Sequence, residues 1–205
     1  MFYYYSFAFA FSFLYLYTND YLRNKFNLSE KDYIQLVGKI NSVIHAKIVV
    51  VMSILFLCGL IDSETWIQCL EVTRGYCLYD TIMILYYTPK DRNMIIHHAM
   101  LFFGSYSNFI SIYPEQTAFG LLAESTNQYL YLGWLLIKKG KENHWAFKVN
   151  AVLLLSMFLV FRVINFTSLF IFTLQNCSYL EPLAVLPILL LNYYWFYLLL
   201  RKALD

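Results

Sequence analysis

Seven apolar runs divide this chain, at residues 2–17, 43–61, 69–87, 93–113, 115–137, 147–174 and 181–200. Each approaches the ~20 residues that a helix needs to cross a hydrocarbon core about 30 Å thick. That succession constrains the fold more than any motif, and it predicts an all-α, multi-pass integral membrane helical bundle. Composition agrees. Apolar residues make up 60% of the 205 and charged residues 14%, against roughly 45–50% and about 25% in ordinary globular chains. A soluble fold of this length has too little interior to hide so much apolar surface. Pro89, Pro114 and Pro182 fall at span boundaries, where a missing N–H costs least, and Pro187 marks an expected kink inside the last span. The first run is short but has no basic leader, so it reads as a spanning helix rather than a signal peptide.

Charge predicts the orientation. Twelve of the 15 Lys and Arg lie in the segments that follow spans one, three, five and seven, and the connections around "DSET", "PEQ" and "QNCS" contain none. The positive-inside rule then puts the N-terminus outside or in a lumen and the C-terminus in the cytoplasm. A formal charge of +2 without a basic block gives no sign of nucleic-acid binding. Cys58, Cys69, Cys77 and Cys177 follow no ligand or disulfide spacing, so they read as free thiols and no metal site is expected.

The remaining basic residues, Lys47, Arg74 and Arg162, fall inside spans together with Glu71, Asp80 and Glu124. A charge at the centre of a spanning helix costs about 2.5–3.5 kcal/mol on the lenient insertion scale, so these groups are expected to face the bundle interior and find partners. Glu71 and Arg74 stand three apart and are expected to pair on one helix; Arg162 and Asn165 share that spacing. Tyr76, Tyr79 and Asp80 form one helical stripe. His98, Leu101, Ser105 and Asn108 form a second, with His97 about 100° away. Glu124, Asn127, Gln128 and Tyr131 mark a third. Convergence of these stripes on one polar cavity is the central structural expectation. The competing explanation is that they are interhelical hydrogen-bond partners, worth about 0.6 kcal/mol each.

Six stretches, in this order, resemble the TLC domain: "NSVIHAK" (41–47), "RGYCLYD" (74–80), "IIHHAMLFFGSYSN" (95–108), "LLAESTNQYLYLGWLL" (121–136), "FLVFRVINF" (158–166) and "LNYYWFYLLLRK" (191–202). Ceramide synthases and translocating-chain-associating membrane proteins belong to that family, with several smaller proteins of lipid homeostasis. The resemblance implies a TLC domain over 41–202, six transmembrane helices around a lipid-accessible cavity. Residues 1–40 then supply an extra N-terminal helix and a cytoplasmic connection. It also implies a place in the endoplasmic reticulum, and it adds His45 to the cavity list of Tyr76, Tyr79, Ser105, Asn108, Asn127 and Arg162.

In ceramide synthases the histidine doublet is required for acyl transfer from acyl-CoA to an amine. The next helix there carries His-Asp-x-x-Asp, where this chain has Glu124-Ser125-Thr126-Asn127 and so looks more like the smaller, non-synthase members. Two functions follow from the resemblance. One is lipid acyl transfer, with His97 or His98 as base or nucleophile and Asp80 or Glu124 orienting the ring or shuttling the proton. The other is a non-enzymatic lipid-binding protein or regulator of membrane composition, whose cavity residues are structural. Membrane lipids are the expected partners. No cofactor is expected, and acyl-CoA enters as co-substrate only in the enzymatic case. His98, sharing its stripe with Ser105 and Asn108, is the expected cavity-lining ring.

Overall fold

The computed structural model describes residues 2–87, 92–105 and 108–204, with the backbone alone at Phe2, Asn108 and Leu204. Lys90, Tyr106 and Ser107 lie outside the described residues. Among those described, the regular structure is helical: α1 (Phe2–Tyr17), α2 (Asp20–Phe26), α3 (Glu30–Leu57), α4 (Ser63–Tyr87), α5 (Arg92–Gly104), α6 (Asn108–Ile112), α7 (Pro114–Leu121), α8 (Asn127–Lys138), α9 (Trp145–Phe158), α10 (Asn165–Asn176) and α11 (Leu180–Leu204). A 3-10 turn over Leu122–Thr126 joins α7 to α8, and a π-helical turn over Leu159–Ile164 joins α9 to α10.

Three stretches are long and apolar enough to cross a membrane: Glu30–Leu57, Trp145–Asn176 and Leu180–Ala203. The other four predicted spans are helical but less simple. The first helix has 16 residues, and α4 carries Glu71, Arg74 and Asp80 along its length. The fourth span, predicted as continuous, ends its first helix at Gly104 and resumes at Asn108. Buried Arg74 explains the end: its guanidinium donates to the Ser105 hydroxyl (2.8 Å) and to the Ser105 carbonyl.

Short polar signals set the helix ends. The side chain of Asn19 accepts the Leu22 N–H (3.1 Å) to open α2, and Ser29 accepts the Asp32 N–H (3.2 Å) to open α3. Asp62 caps α4 by accepting the Thr65 N–H at 2.8 Å. The turns after α3 and α8 place Gly59 (φ 71°) and Gly140 (φ 62°) in the left-handed region, which only glycine adopts without strain. The polar connection after span one is therefore largely helical, and the domain boundary expected at 40/41 falls within α3. Pro187 lies inside an uninterrupted α11.

The N-terminal helix packs against α3 and α4 through Phe9 and Phe13, which join Tyr33, Val37, Tyr76 and Tyr79 in one buried cluster. Ser6 donates to the Gly75 carbonyl (2.8 Å), and Asn41 donates to the Phe9 carbonyl (3.0 Å). A second cluster around Trp66, Cys69, Leu70 and Leu121 ties α3, α4 and α7 together. Leu154, Phe158 and Val163 pack the far side against Trp195, Phe196 and Leu199 of α11. Large apolar side chains also cover the outside, among them Phe7, Phe11, Val152, Leu153, Leu183 and Leu190. Such a surface suits a hydrocarbon solvent and not water.

Candidate functional site

The two irregular turns build the middle of the site. Narrowing at 122–126 and widening at 159–164 both break the regular carbonyl-to-amide ladder, and they set Glu124 and Arg162 across from each other. A π turn inside an α-helix is often found at functional sites. The Arg162 guanidinium donates to the Ala123 carbonyl (3.2 Å), the Thr126 hydroxyl (2.7 Å), Asn192 (3.3 Å) and Asn127 (2.9 Å). Its Nη2 also lies 3.8 Å from the Glu124 carboxylate. Asn127 in turn donates to Glu124 at 2.7 Å. Phe158 and Trp195 lie within cation–π range of the same guanidinium. A buried ion pair needs its remaining donors and acceptors met, and here the guanidinium makes four hydrogen bonds and the carboxylate accepts one from Asn127.

The histidines complete the site from α5. His97 Nε2 is 3.9 Å from the Glu124 carboxylate, and its ring meets Trp195 edge-on. His98 Nε2 is 3.5 Å from the Asp80 carboxylate, and its ring stands edge-on to Tyr76. Neighbouring positions on one helix thus direct two imidazoles to two different carboxylates. Nδ1 of each ring is buried without a hydrogen-bond partner, and Nε2 of each faces a carboxylate.

Both histidines line a central cavity of about 320 Å³, together with Ser42, Tyr76, Glu124, Tyr131 and Arg162. Two further spaces adjoin it. A polar vestibule of about 220 Å³ shares Ser42, Tyr76, Met94 and Tyr131 and adds Gln35, Lys39 and Asp80. An apolar chamber of about 140 Å³ shares His97, Leu101, Glu124 and Arg162 and adds Met100, Ser105, Phe109 and Ile188. The site therefore grades from polar to apolar, with His97 at the junction.

The expected stripes converge in part. Asp80, Glu124, His97, His98, Tyr76, Asn127 and Arg162 come together as described. Glu71 and Arg74 pair along α4, as their spacing predicts. Ser105 lines the chamber with His97 and Leu101, and His98 lines the adjoining cavity with Leu101, so that stripe divides between two spaces. The side chain of Asn108 lies outside the described residues. His45 and Tyr79 line none of these three spaces. The His45 ring stacks on Tyr76 at 4.1 Å and contacts Thr73 (3.3 Å), and the Tyr79 hydroxyl accepts from Asn41 at 3.0 Å. Asn165 bonds the Phe119 carbonyl (2.6 Å) and leaves Arg162 to other partners. Lys47 and Gln128, expected to face inward, are exposed; each sits beside a small cavity between α3 and α8. A long aliphatic stem lets Lys47 lie along apolar surface while its charge reaches a polar region.

Sequence reasoning missed Thr126, Asn192 and Trp195 around Arg162, and Lys39 in the vestibule. Asn192 had a readable signal, being a lone amide in the apolar stretch 183–200. Thr126 and Trp195 had none, since both are ordinary residues in apolar helices.

Fold and site together define a helical membrane protein with an internal cavity of graded polarity. No protein-family model matches the chain, and no solved structure matches it. A curated protein, TLC domain-containing protein 4 A of Dictyostelium discoideum, is 26% identical over 151 residues, which make up 66% of this chain and 58% of that protein. The chain is thus similar to a TLC domain-containing protein over about two thirds of its length. It spans 58% of the length of that relative.

Proposed function

We propose that the protein acts in membrane lipid metabolism or homeostasis by holding an amphiphilic lipid in its central cavity, and that the histidine pair transfers an acyl group there. The observation that carries this reading is the junction at His97. One buried imidazole, paired with Glu124, borders both the polar cavity and the apolar chamber. A lipid seated with its head on the polar side and its chain on the apolar side places its acyl carbonyl at that junction.

The reaction needs a base, an acyl donor and an acceptor. His97 Nε2 takes the proton from the acceptor's amine or hydroxyl as the acceptor's lone pair attacks the acyl carbonyl. The bond from the carbonyl carbon to the donor's thiol or alcohol then breaks, and the leaving group recovers the proton from the imidazolium. Glu124 stabilises the imidazolium while it exists, and Arg162 holds Glu124 in place. His98 with Asp80 positions the vestibule side of the ligand. Acyl-CoA serves as donor in the thioester case, and no other cofactor is invoked. All seven helical runs span the bilayer in this reading, the basic segments face the cytoplasm, and the endoplasmic reticulum is the site of action.

A second reading keeps the lipid and drops the chemistry. Glu124 is already engaged by Asn127 and Arg162, an arrangement that also suits a structural clasp in a lipid-binding regulator. Lipid profiles of cells expressing the chain and its His97→Ala/His98→Ala variant separate the two. A new acylated lipid that disappears in the variant supports the transferase; identical profiles with retained lipid binding leave the regulator.

A further inference from the structure

Beyond the apolar chamber lies a groove of about 380 Å³ between α5 and α11, which shares Met100, Gly104, Phe109, Val185 and Ile188 with that chamber. We propose that chamber and groove hold a single hydrocarbon chain of the bound lipid, and that Gly104 sets how long a chain they accept. This deepens the lipid-binding reading and rests on it.

Four observations carry the proposal. The groove is apolar apart from Glu181, which lies at its end and accepts a hydrogen bond from Ser178 at 2.5 Å. It runs along a helix long and apolar enough to cross a membrane, and Phe103 and Leu183 nearby are 71% and 62% exposed. A chain lying there is therefore continuous with the surrounding hydrocarbon. The chamber between groove and histidine is narrow at about 140 Å³, below the ~300 Å³ at which ordinary small-molecule pockets begin, so it admits one chain and not two. The fourth observation is Gly104 itself.

Glycine weakens a helix by about 1 kcal/mol relative to alanine, and nothing local requires one at 104. Its backbone is not in the left-handed region, where Gly59 and Gly140 are, and an added Cβ would meet nothing within 4 Å. The residue borders both chamber and groove. What its missing side chain preserves is open space on the path that a chain would follow.

The test uses the full chain reconstituted in phosphatidylcholine vesicles with palmitic acid carrying a diazirine near its terminal methyl, alongside an octanoic acid counterpart. Photolysis of the palmitic probe is expected to label Met100, Phe103, Val185 or Ile188. Gly104→Phe is expected to cut that labelling roughly tenfold, the scale of an overpacked site, with a smaller loss of octanoic labelling. Where Gly104→Phe fails to fold, Val185→Phe narrows the same place from the facing helix. Labelling confined to outward residues such as Ile171 and Leu174, or full palmitic labelling of a folded Gly104→Phe or Val185→Phe protein, overturns the proposal. The transferase reading fails separately: chain labelling at α5 and α11 without His97-dependent acyl transfer supports the chain site and rejects that chemistry.

Discussion

Arg162 reaches across from a π turn to Glu124 on a 3-10 turn, with 3.8 Å between Nη2 and the carboxylate and four hydrogen bonds to Ala123, Thr126, Asn127 and Asn192 holding the guanidinium. Removing one member of such a buried pair strands the other without a counter-charge. Arg162→Ala is therefore expected to destabilise the protein by about 3–5 kcal/mol, read as a loss of thermal stability in detergent. Replacing both ends, as Arg162→Met with Glu124→Gln, is expected to recover part of that loss. A double variant no more stable than Arg162→Ala rejects the pairing as the cause.

The two histidines are adjacent in sequence and unequal in position. His97 borders the cavity and the apolar chamber, and His98 borders the cavity alone and leans on Asp80. His97→Ala is expected to lower acyl transfer by about 10²–10⁴-fold, the usual contribution of a positioned base, with lipid still bound. His98→Ala is expected to weaken binding of the polar head more than it slows the transfer step. Equal effects of both substitutions on rate and on binding contradict this division.

Trp66 is fully buried, stacked on Phe56 at 5.1 Å with its indole N–H toward Ser53 (3.4 Å). Trp66→Ala is expected to cost about 3–5 kcal/mol through the cavity it leaves, whereas Trp66→Phe keeps the stack and costs less. Thermal unfolding of the two variants distinguishes a packing role from a merely interfacial one, for which both losses would be small.

The Asp62 carboxylate lies in the turn before α4 and is held below its usual range, chiefly by its hydrogen bond with Thr65. A depressed carboxylate stabilises the fold above its unfolded pKa and loses that contribution as pH falls through the folded one. Acidification is therefore expected to lower the protection factor of the Thr65 amide, its exchange rate taken relative to the intrinsic rate at each pH, in the natural chain. Asp62→Asn, which keeps an acceptor oxygen but does not titrate in this range, is expected to flatten that response. A pH response unchanged in Asp62→Asn would assign it to another group.

Orientation can be read from thiols. Cys58 is exposed in the turn after α3 and Cys177 is partly exposed after α10, whereas Cys69 and Cys77 are buried. In sealed microsomes, whose outer face is cytoplasmic, a membrane-impermeant maleimide is expected to label Cys58 only after the vesicles are opened, with Cys69 and Cys77 silent until denaturation. Labelling of Cys58 in the sealed microsomes would reverse the orientation.

An apolar setting and a helical architecture were legible in the residues alone, but the breaks within the fourth and fifth runs were not. Apolar run length is a local property, and a helix satisfies its own backbone in hydrocarbon, so seven runs are legible without any tertiary information. The Glu71–Arg74 pair was legible for the same reason, since both residues sit on one helix. The motif order carried the resemblance to the TLC domain, and the charges inside the spans pointed to most of the residues gathered around the cavity. Tertiary structure decided the rest. The stripe from His98 to Ser105 divides between cavity and chamber, and Arg74, on another helix, holds the carbonyl and hydroxyl of Ser105. Two turns depart from α geometry where Arg162 meets the Ala123 carbonyl, a contact across 39 residues. Which carboxylate each histidine faces, and which of them borders the apolar chamber, depends on how helices lean together. Periodicity within one helix carries no record of that distance.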